Sequence, residues 1–534
     1  MKNSFFLVIP AQESNPARLK EFEQKALEQW LVELPTANPS LATRLLQDLL
    51  VEFNSCKMPF QLRLDALEQI RPKLLIIEDY LRSRLIKAGF PKEENDLKIL
   101  QVLISVEREF AIGYWIVLRE LANRQISWFQ GKSLVLSLQR CIKCLSSIVI
   151  SHYIMGLPIP DWVWIDLHSL FKLSVKLKKD LVKAPDETNL ANKASSPEEC
   201  YRQILLLGLS KPTGLMQKEI LQVYGFIEEL FPYYTLKLEP IEEQNYQFVV
   251  MTDEDKPPFV QIEMYTTKNS STLYLDLSKL YKALEKKDKF ISQTQTRFAS
   301  IHIKSGDEKP TNELLEYLEQ RWLGVELHQE SYFSDRLDRY MAIGMPSAHS
   351  LQSSRSDQNR SLVEGDNDQE FLVHSESDRL LFCIFNKPGL LSVGNLVSFR
   401  RADQPGSKRW LAIINELIVA RQSSKISFGV NLVSTNYHAV YYTLANGLEK
   451  EVPLKGLFYN TDEQFGDASF LIVDNFMLKD GDSVKMQMNQ EKIFLILKSK
   501  RNIGLGYWQF ECNRVAAATA ADKPQIVKKG FDFI

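Results

Sequence analysis

Disulfide chemistry is the first thing this chain lacks. Its 534 residues include six cysteines, too few and too scattered for a framework of bridges. Cys141 and Cys144 form a CxxC, but a structural metal knuckle needs a second Cys/His pair, and Cys56, Cys200, Cys383 and Cys512 are all singletons. The CxxC also falls in a helical pattern, so both cysteines read as small helix residues and no metal site is expected. Histidine is sparse too, at seven. His152 lies in a helical apolar segment, and His168 follows Asp166 by two, which puts them on different faces of a helix; both read as structural. HExxH, GxSxG and Walker A spacings are absent. Gly504-Leu505-Gly506 lacks a third glycine and lies among strands, which excludes a dinucleotide fingerprint. No catalytic residue and no cofactor is assigned, and an enzyme is not expected.

An excess of one charge is also missing. Lys plus Arg number 65 against 67 Asp plus Glu, a formal net charge of −2, so nothing draws the whole chain toward nucleic acid or an anionic membrane. The longest apolar stretches, Phe110 to Leu118 and Cys144 to Ile150, fall short of the roughly 20 residues a membrane span needs. Phe5 to Ile9 is too short for the core of a signal peptide. The expectation is a cytoplasmic protein with no membrane span and no nucleic-acid partner.

What is present is a change of hydrophobic period along the chain. Residues 1–182 read as a helical domain: Leu41, Leu45, Leu49 and Val51 recur at helical spacing, as do Leu74, Ile77, Leu81 and Leu85, and Ile99, Val102, Val106, Phe110 and Tyr114. No fixed-period repeat accompanies them, so an irregular helical array is expected. Residues 183–197 are polar and read as a linker. Residues 198–340 read as an α+β middle domain in which Gln247 to Thr252, Val260 to Tyr265 and Thr272 to Leu277 look like strands. Asp253-Glu254-Asp255, followed by Lys256-Pro257-Pro258, reads as a solvated hairpin tip. Residues 341–375, rich in Ser, Asn, Asp and Gln, read as a mobile loop.

From there the period is two. Ile426, Phe428, Val430 and Leu432 alternate with polar or small residues, as do Val484, Met486 and Met488. Residues 376–436 are assigned to a small β-barrel, 437–513 to a second β unit and 514–534 to a tail whose Phe531 and Phe533 could dock. The fold class is multidomain α+β. Basic residues cluster at Arg336 and Arg339, read as a helix terminus, and at Arg400, Arg401, Lys408 and Arg409, read as a solvated hairpin end.

The segments Ser392 to Val397, Arg409 to Ile414 and Ile426 to Leu432 carry a resemblance to the PilZ family, bacterial receptors for cyclic di-GMP. The whole chain resembles a group in which a long helical region precedes a divergent PilZ-like barrel and a further β segment. The barrel match covers about a quarter of the chain. The resemblance implies a non-enzymatic nucleotide receptor with two ligand motifs: a pair of arginines on the barrel lead-in and a small polar Asp/Asn-x-Ser-x-x-Gly turn. Arginine can pair bidentately with phosphate or with the guanine O6/N7 edge. The counterparts here are Arg336 and Arg339, three apart, and Asn386 and Gly389 in Asn386-Lys387-Pro388-Gly389, which has no serine. Two functions stay open. One is a cyclic di-GMP effector whose barrel is coupled to a helical region that binds a protein partner. The other is a scaffold or adaptor whose degenerate barrel no longer takes nucleotide.

Overall fold

The computed structural model describes residues 5–122, 128–189, 193–241, 246–262, 271–285, 298, 310–323, 331–353, 370–404, 408–420, 425–445, 452–461, 468–488 and 491–515. The chain divides into two units. The first is Met1–Gln329 with Asn386–Gly389 and Ile418–Ser424; the second is Glu330–Phe385, Leu390–Leu417 and Lys425–Ile534.

The first unit opens with helices α1 (Pro16–Glu21), α2 (Gln24–Glu33), α3 (Pro39–Ser55), α4 (Phe60–Lys87), α5 (Glu94–Ala122), α6 (Trp128–Ile154) and α7 (Val163–Lys176). Local sequence sets their starts. Asn38 accepts a hydrogen bond from Leu41 N at 3.3 Å with Pro39 at the first helical position, a cap that satisfies one of the otherwise orphaned amides. The buried face of α3 differs from the expected one by a register step: Ala42, Leu46, Leu50 and Phe53 are buried, while Leu41, Leu45 and Val51 are exposed. Two leucine sets share that helix, and the one that wins brings Phe53 edge-on to Phe22, 5.1 Å away.

Helix α6 runs through the core. Its stretch Gln130–Ile154 is long and apolar enough to cross a membrane by length and composition, yet most of its apolar window is buried inside the protein. Cys141 and Cys144 lie on it, buried and free of disulfides, as small helix residues. Some polar residues of this core are paired. Arg140 grips Glu68 bidentately at 2.9 and 3.0 Å, and Tyr114 Oη donates to the same carboxylate at 2.5 Å.

The expected linker is built into the unit instead. Strands β1 (Ala184–Pro185) and β2 (Ala194–Ser195) pair antiparallel. Between them Asp186 is fully buried, held by Lys143 Nζ at 2.5 Å and by Ser195 Oγ at 2.5 Å. A buried carboxylate needs such partners, and they are what turns a polar stretch into ordered chain. Helix α8 (Pro197–Leu209) follows, opened by a capping box between Ser196 and Glu199, then α9 (Gln217–Glu229).

The period change is real. Strands β3 (Thr235–Lys237), β4 (Gln247–Met251), β5 (Phe259–Gln261) and β6 (Thr272–Asp276) form an antiparallel sheet in the order β3-β6-β4-β5, followed by α10 (Ser278–Glu285) and α11 (Asn312–Trp322). The acidic β4–β5 tip is docked rather than simply solvated. Asp255 Oδ1 accepts from Ile165 N in the first turn of α7 at 2.9 Å, and Lys256 O lies 3.2 Å from His168 Nε2. Buried His168 also meets Tyr201 Oη at 2.6 Å, a structural histidine with both ring nitrogens used.

The second unit holds two closed barrels. The first is made of β7 (Arg339–Ile343), β8 (Phe371–Ser375), β9 (Leu380–Ile384), β10 (Leu396–Arg401), β11 (Trp410–Val419) and β12 (Lys425–Ser434), in the order β10-β11-β12-β9-β8-β7, with α12 (Met345–Ser353) after β7. The second is β13 (His438–Leu444), β14 (Leu454–Asn460), β15 (Ser469–Val473), β16 (Ser483–Met488), β17 (Glu491–Asn502) and β18 (Trp508–Val515), ordered β13-β14-β15-β18-β17-β16. The first barrel therefore starts at Arg339 rather than 376, and the segment expected as a loop over 341–375 supplies most of β7, all of α12 and β8. Met341-Ala342-Ile343 is too short an apolar run to stand out, and it becomes a strand because β8 and β10 flank it on both sides. Much of the expected loop, 354–369, lies outside the described residues, as do the tail beyond Val515 and its Phe531 and Phe533.

Helix α12 joins the barrels. Met345 and Ala348 are buried with Leu396 and Leu411 of the first barrel and Leu457 and Ile472 of the second. His349 Nε2 lies 3.0 Å from Val440 O, and Gln352 donates to Tyr437 O at 2.7 Å. Gly504-Leu505 closes the joint, with Leu505 N donating to Gly394 O at 2.7 Å.

Candidate anion site at the barrel lead-in

The lead-in to β7 reads Phe333-Ser334-Asp335-Arg336-Leu337-Asp338-Arg339. It is anchored by Phe333, whose amide donates to Asp378 O at 2.9 Å. Strand β7 places Arg339 opposite Val373 of β8 on one side and Arg401 of β10 on the other. The two basic clusters that stand about 60 residues apart in sequence thus meet at one end of the first barrel.

The arginines there are held in different ways. Arg339 is 2% exposed. It makes a bidentate pair with Asp335 at 2.7 and 2.9 Å, donates to Leu337 O at 2.6 Å and lies 4.8 Å over the Phe333 ring. Arg409 is equally buried, donating to Ser398 Oγ and Ser398 O and pairing with Glu370 at 2.8 Å. Glu370 also takes Arg400, whose guanidinium sits 4.6 Å over Tyr340. The second cluster is therefore partly a built feature of the barrel end: Arg409 is in its interior. Lys408 and, in part, Arg401 fit the solvated description.

Two arginines face water. Arg336 has 52% of its side chain exposed, pairs with equally exposed Asp378 at 2.8 Å and donates to Glu376 O at 2.9 Å. Its φ of +56° is a left-handed conformation that few non-glycine residues adopt. Arg401 is 35% exposed and pairs bidentately with Asp403 at 2.9 and 2.5 Å. The carboxyls respond. Partial burial alone would raise Asp335 and Glu370, but hydrogen bonds from Arg339, and from Arg409 and Arg400, hold them below the usual carboxylate range. Asp403 is lowered by its bond from Arg401.

Of the four residues expected to bind ligand, Arg336 and Arg339 come together at this end of the barrel. Asn386 and Gly389 group with the first unit, in an exposed turn where Gly389 has φ +74°. Sequence reasoning missed that Arg401 stands beside the lead-in. The signal available was Arg339 to Ile343 as a five-residue strand ended by Gly344, whose φ is +86°.

A strand-borne set of arginines around a barrel entrance is chemistry suited to an anion. Comparison with known proteins finds two similarities. The family described as "Cyclic-di-GMP receptor FimW, N-terminal domain" matches residues 25–241, within the first unit. The chain is 24% identical over 331 residues to the "Cyclic-di-GMP receptor FimW" of Pseudomonas aeruginosa, covering 62% of this chain and 53% of that protein. The chain thus spans about half the length of the curated relative it matches. No solved structure matches. Both similarities are to a cyclic-di-GMP receptor, each over part of this chain.

Proposed function

We propose that this is a non-enzymatic regulatory protein that binds cyclic di-GMP at the lead-in of its first barrel and passes the signal to a partner-binding helical region. The observation that carries this reading is the pairing of the similarity to a cyclic-di-GMP receptor with Arg336, an exposed guanidinium on the barrel lead-in that, among the described residues, is held by exposed Asp378 and the backbone carbonyl of Glu376. Arg336 can exchange Asp378 for a phosphate without burying a charge. Arg339, already saturated, shapes the lead-in. Coupling to the helical region requires that the ligand favour one arrangement of the protein over another. Calorimetric titration of the full chain with cyclic di-GMP tests the reading. Binding heat that Arg336→Ala removes supports it, and no heat at high-micromolar ligand sinks it.

The scaffold reading is favoured by one observation: Asp335 and Asp378 already neutralise both lead-in arginines. It stands if the wild type gives no heat while the full chain still captures a specific partner.

A further inference from the structure

We infer that Arg401, not Arg339, is the second arginine of the anion site, so that the ligand is gripped by Arg336 and Arg401 from the two sides of β7. The inference rests on the cyclic di-GMP reading above and names the contacts within it.

Three observations carry it. The first is register. Arg401 lies directly across the β7–β10 ladder from Arg339, and Ala402 N donates to Asp338 O at 2.9 Å, so the end of β10 is held against the lead-in. Arg336 bonds Glu376 O and Asp378 on the opposite flank, where β8 turns toward β9. Strands neighbour each other at about 4.8 Å, so two groups flanking one strand are roughly 10 Å apart. That spacing suits an anion with two separated phosphates better than a single one.

The second is availability. Arg339 and Arg409 are each 2% exposed, and their N–H groups are directed at Asp335 and Leu337 O, and at Ser398 and Glu370. Using either for a ligand would pull a buried guanidinium away from its carboxylate partner and open the barrel end. Arg401 is 35% exposed, and the carboxylate it grips, Asp403, is 55% exposed.

The third is geometry. Arg401 holds Asp403 through Nε and Nη2 together. This is the two-pronged arrangement with which a guanidinium holds a phosphate, so Asp403 occupies the position a phosphate would take. Asp403 and Asp378 then act as internal competitors that the ligand displaces.

The test is calorimetric titration of the full chain with cyclic di-GMP, using wild type, Arg401→Gln and Asp403→Asn, with thermal melts alongside. The expected result is binding by wild type, a loss of about tenfold or more in affinity for Arg401→Gln, and affinity raised about two- to fivefold for Asp403→Asn. Arg401→Gln that melts like wild type and binds like it overturns the inference while leaving the proposed function standing. Silence from wild type itself overturns both. Should Arg401→Gln fail to fold, Asp403→Asn decides: it leaves Arg401 and the strands in place and alters only the competing carboxylate, and unchanged affinity overturns the inference.

Discussion

Arg339 and Arg401 face each other across the β7–β10 ladder, with Asp335 between them at 2.7 Å from the first and 3.9 Å from the second. One carboxylate thus separates a buried structural arginine from a water-facing one, and the two should respond differently to substitution.

Arg339→Ala removes a guanidinium held by Asp335, Leu337 O and the Phe333 ring and leaves Asp335 without its main cation. Urea unfolding should show a loss of about 1–3 kcal/mol. Arg336→Ala, which loses an exposed pair, should cost less than about 1 kcal/mol while removing the heat of cyclic di-GMP binding. Equal stability losses for the two variants would contradict the roles assigned to them.

Glu228 of α9 gives the helical unit a dependence on pH. Burial pushes its carboxyl up to about 7 from an ordinary 4.5, against the pull of Lys143 and a hydrogen bond from Gln203. The folded value is raised, so the folded state holds the proton more tightly than the unfolded one. The stability from this group is complete below about 4.5 and is lost as pH rises through about 7. Glu228→Gln should flatten that part of the stability profile, gaining on the order of 1–3 kcal/mol over wild type at pH 8 relative to pH 5. Glu219 and Asp166, raised to about 7 and about 6 by burial, act in the same direction in both proteins and cancel in the comparison.

The joint between the barrels turns on Gly394. Its φ is +86°, and a Cβ there would lie 2.9 Å from Leu505 N. Gly504 is tighter still, with a Cβ 2.3 Å from Gly394 O. Either substitution to Ala should destabilise the second unit by about 1–3 kcal/mol, seen as an earlier urea transition. A wild-type transition for both would show that the joint opens without cost. The role of Gly504-Leu505-Gly506, excluded as a nucleotide loop on its spacing, is this packing.

Long periodic elements were legible because their burial repeats. Ile426, Phe428 and Val430 are all buried, as are Leu74, Ile77, Leu81 and Leu85. The phase of α3 was not, because leucines occupy adjacent positions and only the neighbouring helices choose between them. The linker over 183–197 was misread since the partners of Asp186 come partly from Lys143, more than 40 residues upstream. The barrel start was hidden for a related reason. Met341-Ala342-Ile343 carries little hydrophobic signal alone, and a strand that short exists only when β8 and β10 hydrogen-bond to both its edges.

By itself the sequence determined the change from helical to two-residue period along the chain and the alternation of its C-terminal strands. These follow from local periodicity and residue type, which need no knowledge of distant neighbours. Tertiary structure alone decided which arginines are buried and which face water. Strand pairing brought Arg401 beside Arg339, and the burial of Arg339 against Asp335 and Phe333 left Arg336 and Arg401 as the exposed pair. A guanidinium's role depends on the acceptors around it, and here those acceptors arrive from strands far apart in the chain.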